Sequence, residues 1–85
     1  MPNDRNISES QQAICAFIVD EFDRLNITKH PLRSRAKAGN WDDVEWVIAN
    51  KPDAPFTQSI LDKYEKMSDS DIQKLVEQYR KEGRL

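Results

Sequence analysis

The chain has 85 residues, a formal net charge of -2 and one cysteine, and 33% of its residues are charged. This length allows one domain with a small core, and a lone thiol cannot form an internal disulfide, so the fold needs no oxidising compartment. The acidic balance argues against general affinity for nucleic-acid phosphates. No signal peptide is recognisable and no apolar run approaches the roughly 20 residues of a membrane span, so the sequence predicts a cytoplasmic protein without membrane contact.

The N-terminal part predicts a tail and then a long helix. The polar segment 1–7 is predicted to be a disordered N-terminal tail, and 8–85 a single helical domain. Ser8 and Gln11 have the spacing of a capping box, in which each side chain bonds to the backbone of the other residue. Apolar side chains then recur at the helical period, at Ile14, Ile18, Phe22 and Leu25. This stripe predicts a helix over about 8–25.

A central helical hairpin is predicted next, with helices over 31–38 and 41–50. Pro31 suits the first turn of a helix, where its missing N–H costs nothing. Gly39 stops the first helix because glycine adopts the left-handed cap without strain. Asn40 can cap the second helix with its side chain. The inward face of that helix is predicted to carry Trp41, Val44, Val47 and Ile48.

Two further helices are predicted in the remaining sequence. The segment Asp53-Ala54-Pro55 starts a fourth helix, whose apolar stripe is Phe56, Ile60, Leu61, Tyr64 and Met67. Ser68 and Asp71 form a second capping box, which opens a fifth helix that ends at Gly83. No segment alternates with period two for long enough to predict a strand. The sequence therefore predicts an all-α, compact single domain of about five short helices.

The stretch 30–53 resembles one ankyrin repeat in its spacing. The residues that carry the resemblance are His30, Pro31, Leu32, Ala36, Gly39, Val44, Val47, Ile48 and Asp53. The stretch departs from the family pattern at His30, where threonine is usual, at Arg35, where a small residue is usual, and at Lys51-Pro52, where Gly-Ala is usual. The flanks do not repeat the pattern, although a solenoid needs at least about three units. The family binds proteins, so the resemblance implies a binding role.

The charges are unevenly distributed around this hairpin. The segment 27–39 holds four cations and no acid: Lys29, Arg33, Arg35 and Lys37. They form either a basic patch for an acidic partner or a phosphate, or a set of charges that offsets the acids of the neighbouring helices. A helix-turn-helix interpretation fails electrostatically, because Asp42 and Asp43 stand in the first turn of the helix that would enter the DNA groove.

No motif for catalysis or metal binding is present. His30 and Cys15 have no other histidine or cysteine at ligand spacing, and Cys15 has the pattern of a small buried hydrophobe. Asp42 and Asp43 are explained by their position at a helix start, where the dipole favours anions. The sequence predicts no enzyme, no catalytic residue, no cofactor and no metal.

Trp46 lies off the apolar face of its helix. It is either buried in a core that covers the helix on two sides, or exposed as a hot spot for a protein partner. The sequence predicts a small non-catalytic protein that binds another protein, of the type of bacterial or phage regulators and adaptors. The predicted contact residues are Arg33, Arg35, Lys37 and Trp46, with Asp42 and Asp43 as an acidic alternative.

Three alternatives stay open. An immunity- or antitoxin-like protein would inhibit an enzyme with acidic faces that match a basic active site; these faces comprise Asp20, Glu21, Asp23, Asp42, Asp43 and Glu45. The basic helix 29–37 could contact nucleic acid, with affinity that falls steeply in salt. A homodimer could form through an exposed Trp46.

Overall fold

Five helices follow one another in the computed structural model, which describes residues 8–52 and 54–85, apart from the side chains of Ala54 and Phe56. They are α1 (Glu9–Arg24), α2 (Pro31–Lys37), α3 (Trp41–Asn50), α4 (Ala54–Glu65) and α5 (Asp69–Lys81). The described residues contain no strand. The all-α prediction and its five helices are confirmed, whereas the predicted tail 1–7 lies outside the described residues.

α1 is the central helix, because each of the other four helices packs against it. The main core cluster joins α1 to α2, α3 and α4 through Ile14, Cys15, Ile18, Phe22, Leu32, Ala36, Val44, Val47 and Ile60. A second cluster joins α1 to α5 through Ala13, Val76 and Tyr79. Removal of these side chains from water is the main stabilising contribution to such a small domain. The molecule measures 32 × 30 × 24 Å.

The helix starts are largely set by local side-chain chemistry. Both predicted capping boxes are present: the hydroxyl of Ser8 accepts the N–H of Gln11 at 3.1 Å, and that of Ser68 accepts the N–H of Asp71 at 3.2 Å. The predicted cap at Asn40 is wrong in one respect. Asn40 occupies the N-cap position of α3, but its side chain makes no capping bond.

His30 begins α2 in a way that the sequence did not reveal. Its Nδ1 accepts the N–H of Leu32 at 3.1 Å, so an imidazole fills the role that serine or aspartate usually has. Its ring also stacks on the ring of Phe22, with 4.9 Å between the centroids. His30 therefore both caps α2 and fixes the start of that helix against α1.

In the described residues, four helix ends use a residue in the left-handed conformation, and the one after α3 is Lys51, at φ 48°. Gly39, at φ 74°, follows α2, and Gly83, at φ 75°, follows α5, as the sequence predicts. Asn26, at φ 61°, does the same after α1, and the N–H of Ile27 then reaches the carbonyl of Phe22 at 2.8 Å. This bond is part of a Schellman motif, which turns the chain sharply from α1 toward α2.

Candidate functional site

The predicted basic patch is largely engaged within the chain. The Nε of Arg33 lies 2.8 Å from Oδ1 of Asp23 on α1, and its guanidinium also donates to the carbonyl of Thr28 at 3.4 Å. Only 18% of the Arg33 side chain is exposed. The Nε of Arg35 lies 3.7 Å from Oδ2 of Asp43 on α3. Two of the four cations thus face acids of the neighbouring helices. This matches the interpretation in which the cations offset those acids.

The other two cations of this segment, Lys29 and Lys37, are exposed. Neither forms an ion pair with a residue of the described chain. The residues predicted to form one patch therefore divide into two kinds. Arg33 and Arg35 tie α2 to its neighbours, while Lys37 is surrounded by solvent at the edge of a cleft.

Glu21 is a buried carboxylate between α1 and α4. Its Oε1 lies 3.0 Å from the guanidinium of Arg24 and 2.6 Å from Nζ of Lys63. The hydrogen bond from Arg24, followed by the contact with Lys63, lowers the pKa of Glu21 even though burial opposes this shift. Glu21 therefore connects α1 to α4, and its buried carboxylate is not available on an acidic surface.

Asp20 connects α1 to the end of α5. Its carboxylate accepts two hydrogen bonds from Arg84, both at 2.8 Å, and one from the hydroxyl of Tyr79 at 3.3 Å. The guanidinium of Arg84 lies over the Tyr79 ring, 4.6 Å from its centroid. Burial, and then the nearby charge of Asp20, raise the pKa of Tyr79 to about 12. Sequence reasoning missed Arg84, because no local pattern links it to Asp20.

The two predicted acidic site residues of α3 differ in their surroundings. Asp43 is half-buried, accepts a hydrogen bond from the side-chain amide of Asn40 at 2.5 Å, and faces Arg35. Asp42 is exposed. Of the two carboxylates, Asp43 therefore contributes to the α2–α3 corner, whereas Asp42 lies on the solvent side of α3.

Five residues of α3 form a continuous exposed strip at helical spacing, which we call the outer face of α3. They are Asp42, Glu45, Trp46, Ala49 and Asn50. The side chain at its centre, Trp46, is 55% exposed, and the only other exposed large apolar residue among those described is Leu25 at 38%. The sequence left open whether Trp46 is buried or exposed. It is exposed, because the neighbouring helices pack only against the opposite side of α3.

The inner face of α3 explains why this strip is outward. Val44 and Val47 are buried against α1 and α2, and Ile48 and Trp41 are packed at the edge of the core. The indole N–H of Trp41 donates to Glu45 at 3.3 Å. The predicted inner face is therefore confirmed. Glu45 and Ala49 could have been assigned to the outer face from sequence, because they lie three and seven residues after Asp42.

A cleft of about 270 Å³ lies between α1, the α2–α3 turn and the last two residues. Its lining includes Cys15 and Ala16 on α1, Lys37 on α2, and Arg84. Burial raises the pKa of the Cys15 thiol to about 11, so the reactive thiolate is scarce at neutral pH. Arg84 is already bound to Asp20. Among the described residues that line the cleft, Cys15 is therefore a protonated thiol and Arg84 an engaged cation.

Neither a metal centre nor a membrane span is found in the part of the chain that the structure describes. No three His, Cys, Asp or Glu side chains there are grouped so that they could hold a metal ion. No helix there combines the length and the apolar composition needed to cross a bilayer.

No protein-family model, no curated protein and no solved structure matches the chain. The outer face of α3 is therefore interpreted from its own chemistry. The hairpin α2–α3, which resembles an ankyrin repeat in its spacing, packs against α1, a helix that precedes it in the chain.

Proposed function

We propose that this protein is a small non-catalytic module that binds another protein through the outer face of α3. The observation that carries the proposal is the exposure of Trp46 at the centre of that face. An indole is the side chain that most often dominates a protein interface, since it combines a large apolar area with little conformational entropy to lose. Its exposure in an isolated chain costs free energy that a partner would recover.

The basic helix is the weaker choice for this role. Arg33 is mostly covered and bound to Asp23, so a partner would have to break an internal contact to use it. Arg35 shares its charge with Asp43. Sequence-independent contact with nucleic acid needs several available cations on one surface, and in the segment 29–37 only Lys29 and Lys37 lie outside such pairs.

The role would be that of a small regulator or adaptor of bacterial or phage type, which masks or recruits its partner. We assign it to the cytoplasm as part of the same proposal, because a chain with one buried thiol gains nothing from an oxidising compartment. One observation favours a more specific second candidate, an inhibitor of an enzyme with a basic active site. Asp42 and Glu45 stand beside Trp46 on the same face, as such an inhibitor requires.

Affinity capture from a lysate of the source organism tests the proposal. The tagged protein is compared with Trp46→Ser, and proteins retained in stoichiometric amount are identified by mass spectrometry. We expect a partner whose recovery falls at least about tenfold with Trp46→Ser, since removal of a central hot spot costs more than a factor of ten in affinity. Circular dichroism of each variant confirms that the helices are intact.

Two control variants locate the surface. Leu25→Ser removes the other exposed large apolar side chain and should leave recovery unchanged. Lys37→Glu reverses the exposed charge of α2 and should also have little effect. A partner that is lost with Lys37→Glu and kept with Trp46→Ser would move the site to the basic helix. The absence of any stoichiometric protein would contradict the proposed function.

A further inference from the structure

We propose that the cleft between α1, the α2–α3 turn and residues 84–85 binds a small organic carboxylate, whose charged group is held by Arg84 and Lys37. The lining of this cleft shares no residue with the outer face of α3, and the proposal does not depend on the proposed function. Three observations carry it: the composition of the lining, an edge of Arg84 that the fold leaves open, and the exposed ammonium of Lys37.

The lining of the cleft combines apolar side chains with two cations. Its apolar side chains include those of Cys15, Ala16, Val19 and Ala36, and its polar ones are Gln12, Lys37 and Arg84. Among the described residues, those that line the cleft include no aspartate or glutamate. Such a lining suits a molecule with an apolar body and one negative group, whereas it offers a cationic molecule no carboxylate side chain to pair with.

Arg84 keeps one complete hydrogen-bonding edge of its guanidinium for a ligand. Nη1 and Nη2 each donate to the carboxylate of Asp20 at 2.8 Å, and the other N–H of Nη1 is directed to Glu82 at 3.4 Å. A guanidinium has five N–H donors. The Nε–H and the second N–H of Nη2, which lie side by side, therefore have no acceptor in the described chain. This pair forms the fork that receives both oxygens of a carboxylate.

Lys37 supplies the second positive charge that a carboxylate at this edge requires. Asp20 already offsets the charge of Arg84, so Asp20 would repel a ligand carboxylate that Arg84 held alone. Lys37 is exposed, lines the same cleft and forms no ion pair within the described chain. Neither cation pairs with the main-chain carboxylate of Leu85. An anion in the cleft therefore gains a cation that the fold does not use.

The size of the cleft limits the ligand to a small molecule. Pockets that hold drug-sized ligands enclose about 300–1,000 Å³. This cleft has a volume of about 270 Å³. A single aromatic ring or a short aliphatic chain with one carboxylate suits this space, whereas a nucleotide or a peptide segment would leave most of its surface in solvent.

NMR titration of the isotope-labelled chain with benzoate and with hexanoate tests the proposal. Benzyl alcohol and hexanol are the uncharged counterparts of the same size. We expect at least one of the two carboxylates to bind with a Kd on the order of 1 mM or tighter and to shift the amide signals of Ala16, Lys37 and Gly39. Its alcohol should bind at least about tenfold more weakly, because it cannot accept both donors of the Arg84 fork. No saturable shift with either carboxylate, or equal affinity for acid and alcohol, would overturn the proposal.

Two lysine variants test the contribution of charge. Lys37→Met keeps the length of the side chain and removes its charge, so it should weaken carboxylate binding about fivefold or more and flatten the dependence of the Kd on salt. Lys29→Met removes the same charge from an exposed lysine that does not line the cleft, and should leave the Kd unchanged. Equal losses in the two variants would mean that only net charge matters, and would overturn the assignment to the cleft.

Arg84→Lys tests the fork itself. It keeps a cation beside Asp20 but removes the planar pair of donors, and should weaken carboxylate binding about fivefold or more. Arg80→Lys is the matched control, because Arg80 pairs with Glu9 at 2.6 Å and does not line the cleft. Circular dichroism and the amide spectrum verify that each variant is folded. Unchanged affinity in a folded Arg84→Lys would overturn the role of Arg84. Should this variant unfold, the comparison of Lys37→Met with Lys29→Met alone decides the proposal.

Discussion

The two helices of the central hairpin, α2 and α3, use their charged side chains in different ways. On α2, Arg33 and Arg35 point sideways to acids of α1 and α3, so they hold the helix in place. On α3, Asp42 and Glu45 stand on the side away from the core, next to the exposed indole of Trp46. α2 uses two of its three charges in contacts with neighbouring helices, whereas α3 places Asp42 and Glu45 on its solvent side and directs only Asp43 toward Arg35.

The difference teaches that the density of charge along a sequence is a poor guide to an interaction surface. The segment 27–39 is the most basic of the chain, yet the contacts within the fold neutralise half of its cations. The outer face of α3 has fewer charges, but they accompany an apolar side chain that the fold leaves uncovered. A surface suited to binding is defined by what remains after the internal pairs have formed.

The largest effect on stability is expected from a substitution of Leu32, on the inner side of α2. This side chain is 1% exposed and belongs to the main core cluster. Leu32→Ala should lower the free energy of unfolding by about 3 kcal/mol, since it removes buried methyl groups and leaves a cavity. Urea denaturation at neutral pH measures this change. A loss under about 1 kcal/mol would mean that α2 is not anchored to α1 as described.

Glu21 is expected to produce an intermediate effect that depends on pH. Its folded pKa lies below the ordinary value of 4.5, so its stabilising contribution is present above that pH and is lost as the pH falls below it. Glu21→Gln should cost about 1–2 kcal/mol at neutral pH, where a charge-assisted contact is lost, and less in acid. Urea denaturation at several pH values between neutral and about 3 measures the free energies of unfolding of the unaltered chain and of Glu21→Gln, which should converge as the pH falls.

Glu65→Gln is the matched control for that experiment. Glu65 pairs with Lys51 on the surface, with 46% of its side chain exposed, so solvent screening should keep its effect small at every pH. If the stability of Glu21→Gln and of the unaltered chain fell in parallel as the pH decreased, the pairing of Glu21 with Arg24 and Lys63 would not be the source of the acid sensitivity.

Arg33 and Lys37 provide the direct test of the division within α2. Arg33→Met should lower the free energy of unfolding by about 1 kcal/mol, because a mostly covered guanidinium loses Asp23 and the carbonyl of Thr28. Lys37→Met should change it by less than about 0.5 kcal/mol, since an exposed lysine without an ion pair contributes little. Thermal and urea denaturation of both variants measure the difference. Equal effects would remove the distinction between structural and exposed cations.

The parts of this fold that sequence reasoning predicted are those that depend on neighbouring residues. The capping boxes at Ser8 and Ser68 and the left-handed Gly39 act within a few positions of the chain, and all three are present. The missed contacts are distant. Arg84 meets Asp20 across 64 positions, and periodicity carries no information about such a pair.

The candidate surface was predictable in part for the same reason. The helical spacing shows that Trp46 lies off the inner face of α3, but its exposure depends on which helices pack around α3. The extensive contacts of α3 are with α2 and α1. Arg33 was predicted to contact a partner, but it is bound to Asp23 instead. The position of Asp23 beside it follows from how α1 and α2 pack and not from either segment alone.

The smallest effect on stability is expected at Trp46, and it separates the outer face from the rest of α3. Trp46→Ser should change the free energy of unfolding by no more than about 0.5 kcal/mol, because the side chain is already 55% exposed. Val44→Ala, on the buried side of the same helix, should cost about 2 kcal/mol. A loss of 2 kcal/mol or so at both positions would mean that Trp46 packs on the chain and is not available to a partner.

Fluorescence quenching sharpens the same prediction. In a Trp41→Phe background, all tryptophan emission comes from Trp46. Neutral acrylamide should quench it efficiently because the indole is open to solvent. Iodide should quench it less than caesium does, relative to free tryptophan, because Asp42 and Glu45 repel the anion and attract the cation. This difference should shrink as salt is added, and should vanish in Asp42→Asn, Glu45→Gln. An equal response to the two ions at low salt would show that the carboxylates do not set the potential around Trp46, and the contrast with α2 would then rest on the exposed indole alone.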